Sequence, residues 1–235
     1  MIIVNFFDYF FSKPYLARGW AVVNVEYRLA DVALAPGAVE DCRCALWWVL
    51  RNAEAYKFDP EKIVITGTSA GGHLALTTGM LPISAGFDWH CRLTENLLNL
   101  YTYTTPLNQT RPKVAAIINW YGITDVVDFM EEPNQKLFAL QWLGSQRDAE
   151  AIAKDVSPLT YVESGLPPIL TIHGDAEPLV PYSHAVRLHE ALTKAGVPNQ
   201  LITIPQGGHS GFSRQEMIQA YEGIWSFLTR YEVIN

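Results

Sequence analysis

Positive charge is scarce in this chain. Lysine and arginine total 17 against 24 aspartates and glutamates, a formal net charge of −7. Nucleic acid is bound by basic faces that displace counterions, so no nucleic-acid partner is expected. Long apolar runs are also missing. None reaches the roughly 18 residues that a bilayer-crossing helix needs, and no membrane span is expected. The opening MIIVNFFDYFF is apolar but has no basic leader and no small-residue cleavage site, so a secretory signal is not expected either. Cysteine is limited to Cys42, Cys44 and Cys91. Three thiols cannot all pair, so no disulfide framework is indicated and the expected setting is reducing and cytoplasmic. Cys42 and Cys44 lie two apart on a helical stretch and point to different faces, which reads as buried thiols rather than zinc ligands. The chain has no H-E-x-x-H, no P-loop lysine and no G-x-G-x-x-G, so neither a metal nor a cofactor is expected.

What is present suits one globular domain over residues 1–235, with 49% hydrophobic and 17% charged residues. Short apolar runs alternate with longer amphipathic stretches, the pattern of βα units around a parallel sheet. Strands are expected at residues 21–27, 62–66, 114–120, 169–173 and 200–204. Helices are expected at 7–18, 39–56, 70–80, 183–195 and 214–231. Gly196 and Pro198 mark the end of the fourth helix. Two stretches, 81–111 and 124–156, break the rhythm. Loops of that length usually cover or line a site, and both are candidate lid or cap segments.

Gly67-Thr68-Ser69-Ala70-Gly71 fits G-x-S-x-G, directly after an apolar strand and before a helix. That context is the one the motif needs. A sharp strand-to-helix turn lifts the hydroxyl out of the sheet, and the amide of Ala70 faces the place where an oxyanion would form. A serine hydroxyl is a weak nucleophile without an adjacent base. Among six histidines, His209 lies on the loop Gln206-Gly207-Gly208 after the last strand, where the chain order serine, acid, histidine puts the base. His73, one turn beyond Ser69, reads as structural, and His173 as part of a turn. His90, His184 and His189 read as solvated or core residues. The acid belongs on the loop after the strand at 169–173, where Asp175 and Glu177 compete and spacing does not choose between them. Trp120, Tyr121, Trp142 and Phe212 are candidate lining for an apolar pocket, with a core role equally open for Trp120.

Taken together, VEYRL at 25–29, AVED at 38–41, Gly67 to His73, residues 173–180 and Gly207 to His209 resemble the α/β-hydrolase superfamily. The chain is most similar to hormone-sensitive-lipase-like and feruloyl-esterase-like carboxylesterases, with kynurenine formamidases nearby. The resemblance implies an α/β-hydrolase fold, a mostly parallel sheet flanked by helices. It also implies a serine carboxylesterase acting on small-molecule esters of small or aromatic acids. In families with H-G-x-x-D after this strand the acid is the fifth residue. Here that residue is Glu177, which gives a Ser69–His209–Glu177 triad with Asp175 as the alternative. An amide hydrolase of formamide type with the same triad, or a weakened binding protein of the same fold, is the competing reading.

The H-G-G-G-like loop that supplies further oxyanion amides in the family has no counterpart, and the first strands of the usual sheet are expected to be missing too. The strand before that loop normally lies inside the sheet, so its loss would leave unpaired backbone. Three repairs are open: residues 2–5 fill the slot, the strands at 21–27 and 62–66 pair directly, or a second chain donates a strand and makes a homo-oligomer. A substitute oxyanion donor near residues 1–8 would soften the loss of that loop.

Overall fold

The computed structural model describes residues 2–5, 9–92 and 111–234. In chain order the main elements are β1 (Ile2–Asn5), α1 (Tyr9–Leu16), β2 (Val22–Val25), α2 (Gly37–Tyr56), β3 (Val64–Thr68), α3 (Ala70–Met80) and β4 (Ala116–Trp120). They continue with α4 (Leu137–Leu143), α5 (Ala149–Asp155), β5 (Ile169–Gly174), α6 (Ser183–Lys194), β6 (Asn199–Ile204) and α7 (Arg214–Arg230).

All described strand pairs are parallel, in the order β2-β1-β3-β4-β5-β6. The central strands are buried on both faces, which is why β3, β4 and β5 read as continuous apolar runs rather than alternating ones. Period-two alternation still sorts their side chains. Ile65, Ile117 and Ile169 pack with α2, α3 and α6, while Val64, Ile118 and Leu170 pack with α1 and α7. Strand β3 begins two residues later than expected because a short 3-10 turn, Pro60–Lys62, comes first, capped by the Asp59 side chain on the amide of Glu61.

Residues 2–5 fill the slot inside the sheet. Ile2 pairs with Val22 on one side and with Val64 on the other, and Asn5 pairs with Val25 and Gly67. Strands β2 and β3 therefore do not meet, and the sheet needs no strand from a second chain. The gap that motivated an oligomer is closed within the chain.

The cysteine reading is corrected. Cys44 and Cys91 form a disulfide with Cα atoms 5.0 Å apart, and Cys42 keeps its thiol. The bond forms because a 3-10 turn, Trp89–Arg92, returns the chain to α2. The same return is fixed by a buried ion pair between Arg43 and Asp88. Trp47 donates its indole N–H to Asp88 at 2.9 Å, and Arg43 Nη1 donates to the carbonyls of Thr78 and Leu81, both at 2.9 Å. Cys42 lies in the core beside them, and burial pushes its thiol well up in pKa. Among the described residues no group of histidine, cysteine and carboxylate side chains is arranged to hold a metal ion. No described helix is long and apolar enough to cross a membrane.

Candidate active site

The site is built at the carboxyl ends of β3, β5 and β6. Ser69 occupies the turn between β3 and α3 with φ 54° and ψ −117°, a conformation that costs a non-glycine residue about 1–3 kcal/mol. The strain is held from both sides. Ser69 N–H donates to the carbonyl of Trp120 at 2.9 Å, and the carbonyl of Ser69 accepts from His73 N–H at 3.0 Å. Two glycines make the turn possible by close approach. A β-carbon on Gly67 would lie 2.3 Å from the carbonyl oxygen of Gly71, and one on Gly72 would lie 2.6 Å from Asn119 Oδ1.

His209 reaches this turn from the loop after β6. Its Nε2 is 2.8 Å from Ser69 Oγ and its Nδ1 is 2.6 Å from Glu177 Oε2. A carboxylate only accepts, so the ring proton sits on Nδ1, and Nε2 is left to accept the serine hydroxyl proton. The Glu177 side chain is fully buried. Its second oxygen accepts the backbone N–H of Leu179 at 2.6 Å and of Val180 at 3.2 Å, so the buried carboxylate is satisfied on both oxygens.

Asp175 faces elsewhere. Its Oδ1 accepts the backbone N–H of Gln206 at 2.6 Å, while Ala176 N–H donates to the carbonyl of Gly207 at 3.0 Å. The alternative acid is thus a clamp on the loop that carries His209, not a partner of the imidazole. Gly174 permits the approach, since a β-carbon there would lie 2.1 Å from the carbonyl oxygen of Gly207.

The remaining histidines sit as expected. His73 is buried, donates from Nδ1 to the carbonyl of Ile123 at 3.0 Å, and is lowered by burial to a pKa of about 4. His173 holds the loop carrying Glu177 by donating Nε2–H to the carbonyl of Val180 at 2.8 Å, and burial lowers its pKa. His184 accepts the N–H of Thr124 at 3.2 Å and turns Nε2 toward Asp128 at 3.1 Å. Burial is the main cause of its lowered pKa, about 4. His189 pairs with Asn199 Oδ1 at 2.8 Å, and exposed His90 stands 3.7 Å from Glu40.

A cleft of about 640 Å³ opens beside Ala70, between the loop after β2 and helix α4. Tyr27, Leu29, Phe129, Phe138 and Trp142 give it apolar walls. Of the four aromatics expected to line it, only Trp142 does. Trp120 is 1% exposed and packs on the other face of the sheet against Phe11 and Tyr221, because alternation at the end of β4 turns it there. Tyr121 lies against the imidazole of His209 with ring centroids 5.0 Å apart, and Phe212 packs on Tyr121 at 5.8 Å. Both flank His209 rather than the cleft. Phe129 and Phe138 lie in the 124–156 stretch read as a cover, but nothing in their spacing marked them individually. None of the described residues 81–92 lines the cleft, and the rest of that candidate lid up to residue 110 lies outside the described residues.

Ala70 is exposed, opens α3 and lines the cleft, so its N–H is among the first helical amides, which have no partner within the helix. Residues 1–8, where a substitute oxyanion donor would soften the loss, lie partly outside the described residues. Within them, Asn5 ends β1 opposite Gly67, two residues before Ser69.

A family model described as BD-FAE matches residues 6–192, most of the chain. The chain belongs to the BD-FAE family. This BD-FAE member is 28% identical over 198 residues to Esterase LipQ of Mycobacterium tuberculosis, an alignment covering 79% of the chain and 42% of LipQ. It is 28% identical over 207 residues to Lipase 2 of a Moraxella species, covering 81% of the chain and 47% of that lipase. The chain thus spans less than half the length of these curated relatives. Solved structures superpose on it, among them the following two. A truncated carbohydrate esterase from gut microbiota does so with a TM-score of 0.72 at 24% identity, covering 99% of this chain and 85% of that one. Native Est2, a thermophilic esterase of Thermogutta terrifontis, gives 0.73 at 25% identity, with 99% and 82% covered. The BD-FAE chain has the α/β-hydrolase fold.

Proposed function

We propose that this BD-FAE chain is a serine hydrolase of carboxylic esters. The reading is carried by one observation, the unbroken hydrogen-bonded line from Glu177 through both nitrogens of His209 to Ser69 Oγ. Ser69 attacks the ester carbonyl as Nε2 of His209 takes its proton, and Glu177 stabilises the imidazolium so formed. The oxyanion develops beside the Ala70 N–H at the start of α3. The imidazolium then returns the proton to the departing alkoxide, and water repeats the sequence on the acyl-enzyme. The cleft beside Ala70 suits small or aromatic acyl groups. Loss of one oxyanion donor lowers turnover by about 10²–10³-fold. An enzyme relying on Ala70 alone is therefore slow and favours activated esters.

The test is turnover of p-nitrophenyl acetate and benzoate by the native chain and by Ser69→Ala, with a fluorophosphonate label read by mass at Ser69. Labelled Ser69 and a dead Ser69→Ala support the reading. Folded protein that neither labels nor turns over is a binding protein of the same fold. The same residues serve a formyl amide, and faster cleavage of a formyl anilide than of an aryl ester would favour that chemistry. Cys44–Cys91 favours an oxidising compartment over the cytoplasm expected from the cysteine count.

A further inference from the structure

Five large apolar side chains stand in water on segments that form the cleft wall or adjoin it. Leu29 and Phe138 are 46% and 44% exposed and line the cleft itself. Val32 is 70% exposed and shares a turn with Leu29, donating its N–H to the Leu29 carbonyl at 2.9 Å. Leu137 is also 70% exposed and precedes Phe138 on α4. The ammonium of Lys136 donates to the carbonyl of Pro178 at 3.3 Å, which brings the start of α4 against the loop carrying Leu179, 45% exposed. Three segments far apart in sequence converge apolar groups on one opening.

A single exposed leucine needs no explanation, but apolar groups gathered around an apolar concavity mark an interaction surface. This rim is continuous with the cleft wall through Leu29 and Phe138, so what it faces is also offered to the substrate site. The net charge of −7 works against an anionic membrane, leaving a neutral apolar surface as the fitting partner.

We propose that the rim docks the protein on aggregates of neutral acyl esters, from which substrate enters the cleft without crossing water. The proposal rests on the ester-hydrolase reading. Its physical advantage is kinetic: each added methylene lowers the dissolved ester concentration roughly fourfold, and a docked enzyme draws substrate at a rate that this falling solubility does not limit.

The test compares the native chain with Val32→Asp and Leu137→Asp, two highly exposed positions outside the cleft lining. Rates are measured on dissolved p-nitrophenyl acetate and on tributyrin below and above its solubility limit. The native rate should climb steeply once tributyrin forms a dispersion. Each variant should lose about tenfold on the dispersion while its circular dichroism and its rate on the dissolved ester stay native. The proposal is overturned if the native rate saturates with dissolved tributyrin and the variants match it throughout. It is equally overturned if the variants only convert a dimer to monomer in gel filtration, since the rim would then join two copies. A native chain inactive on dissolved esters defeats the hydrolase reading instead. Co-flotation with triolein droplets, kept by the native chain and lost by the variants, would still report the rim.

Discussion

Replacing Glu177 with glutamine changes one oxygen to an NH₂ group and almost nothing in volume. The neighbours decide which way the amide lies. Two backbone N–H groups, from Leu179 and Val180, face one carboxylate oxygen, while a single ring nitrogen faces the other. Putting the amide oxygen toward the backbone keeps two bonds, and the flipped amide sets a donor against two donors. The oxygen therefore stays with the backbone and the NH₂ points at Nδ1 of His209. Nδ1 must then accept, which moves the ring proton to Nε2 and leaves Ser69 without a base. In the Ser-His-Asp template the equivalent change costs about 10⁴-fold in turnover, or roughly 5 kcal/mol of transition-state stabilisation. Turnover of p-nitrophenyl acetate by Glu177→Gln should fall by about that factor, with the unfolding midpoint close to native. Asp175→Asn keeps an oxygen for the amide of Gln206 and should lose less than about tenfold, because it acts on the loop and not on the ring. Full activity in Glu177→Gln beside a dead Asp175→Asn would refute the assignment of the acid.

Three further outcomes are expected. Trp142→Ala removes one wall of the cleft, so kcat/KM for bulky aryl esters should rise relative to acetate by roughly tenfold, measured on matched p-nitrophenyl esters. An unchanged ratio would take Trp142 out of the acyl site. Cys44→Ser opens a crosslink spanning 47 residues, worth about 4 kcal/mol in the chain-entropy description. The variant should unfold at lower urea than the oxidised native chain, and a reductant should abolish the difference. His73 and His184 are lowered from 6.5 to about 4 in the folded chain, mainly by burial. The unfolded chain then binds more protons between those values, so stability is full above pH 6.5 and is lost as pH falls toward 4. Urea midpoints at pH 7.5 and pH 5 measure this, and equal midpoints would contradict it.

Much of the site was legible because its parts are local. Gly67 to Gly71 state a strand, a tight turn and a helix within five residues, and α3 ends where its sequence pattern does. His209 follows from chain order and a glycine loop. The choice between Asp175 and Glu177 was not legible from spacing, since it depends on which backbone amides surround each carboxylate. Leu179 and Val180 prepare one for the imidazole, and Gln206 occupies the other. Trp120 looked like a pocket residue because it ends a strand near the serine, yet pleating sends it to the opposite layer. The Cys44–Cys91 bond was hidden because it relies on an irregular segment returning to α2, which no periodicity announces. The cleft walls at Phe129 and Phe138 belong to the same class of long-range fact.

The placement of β1 has a practical consequence for handling the molecule. Four residues at the amino end separate β2 from the other four strands, so the beginning of the chain acts as a keystone rather than a fringe. Clipping those residues would detach the edge strand β2 from the sheet and leave bare the side of β3, the strand that leads into the turn carrying Ser69.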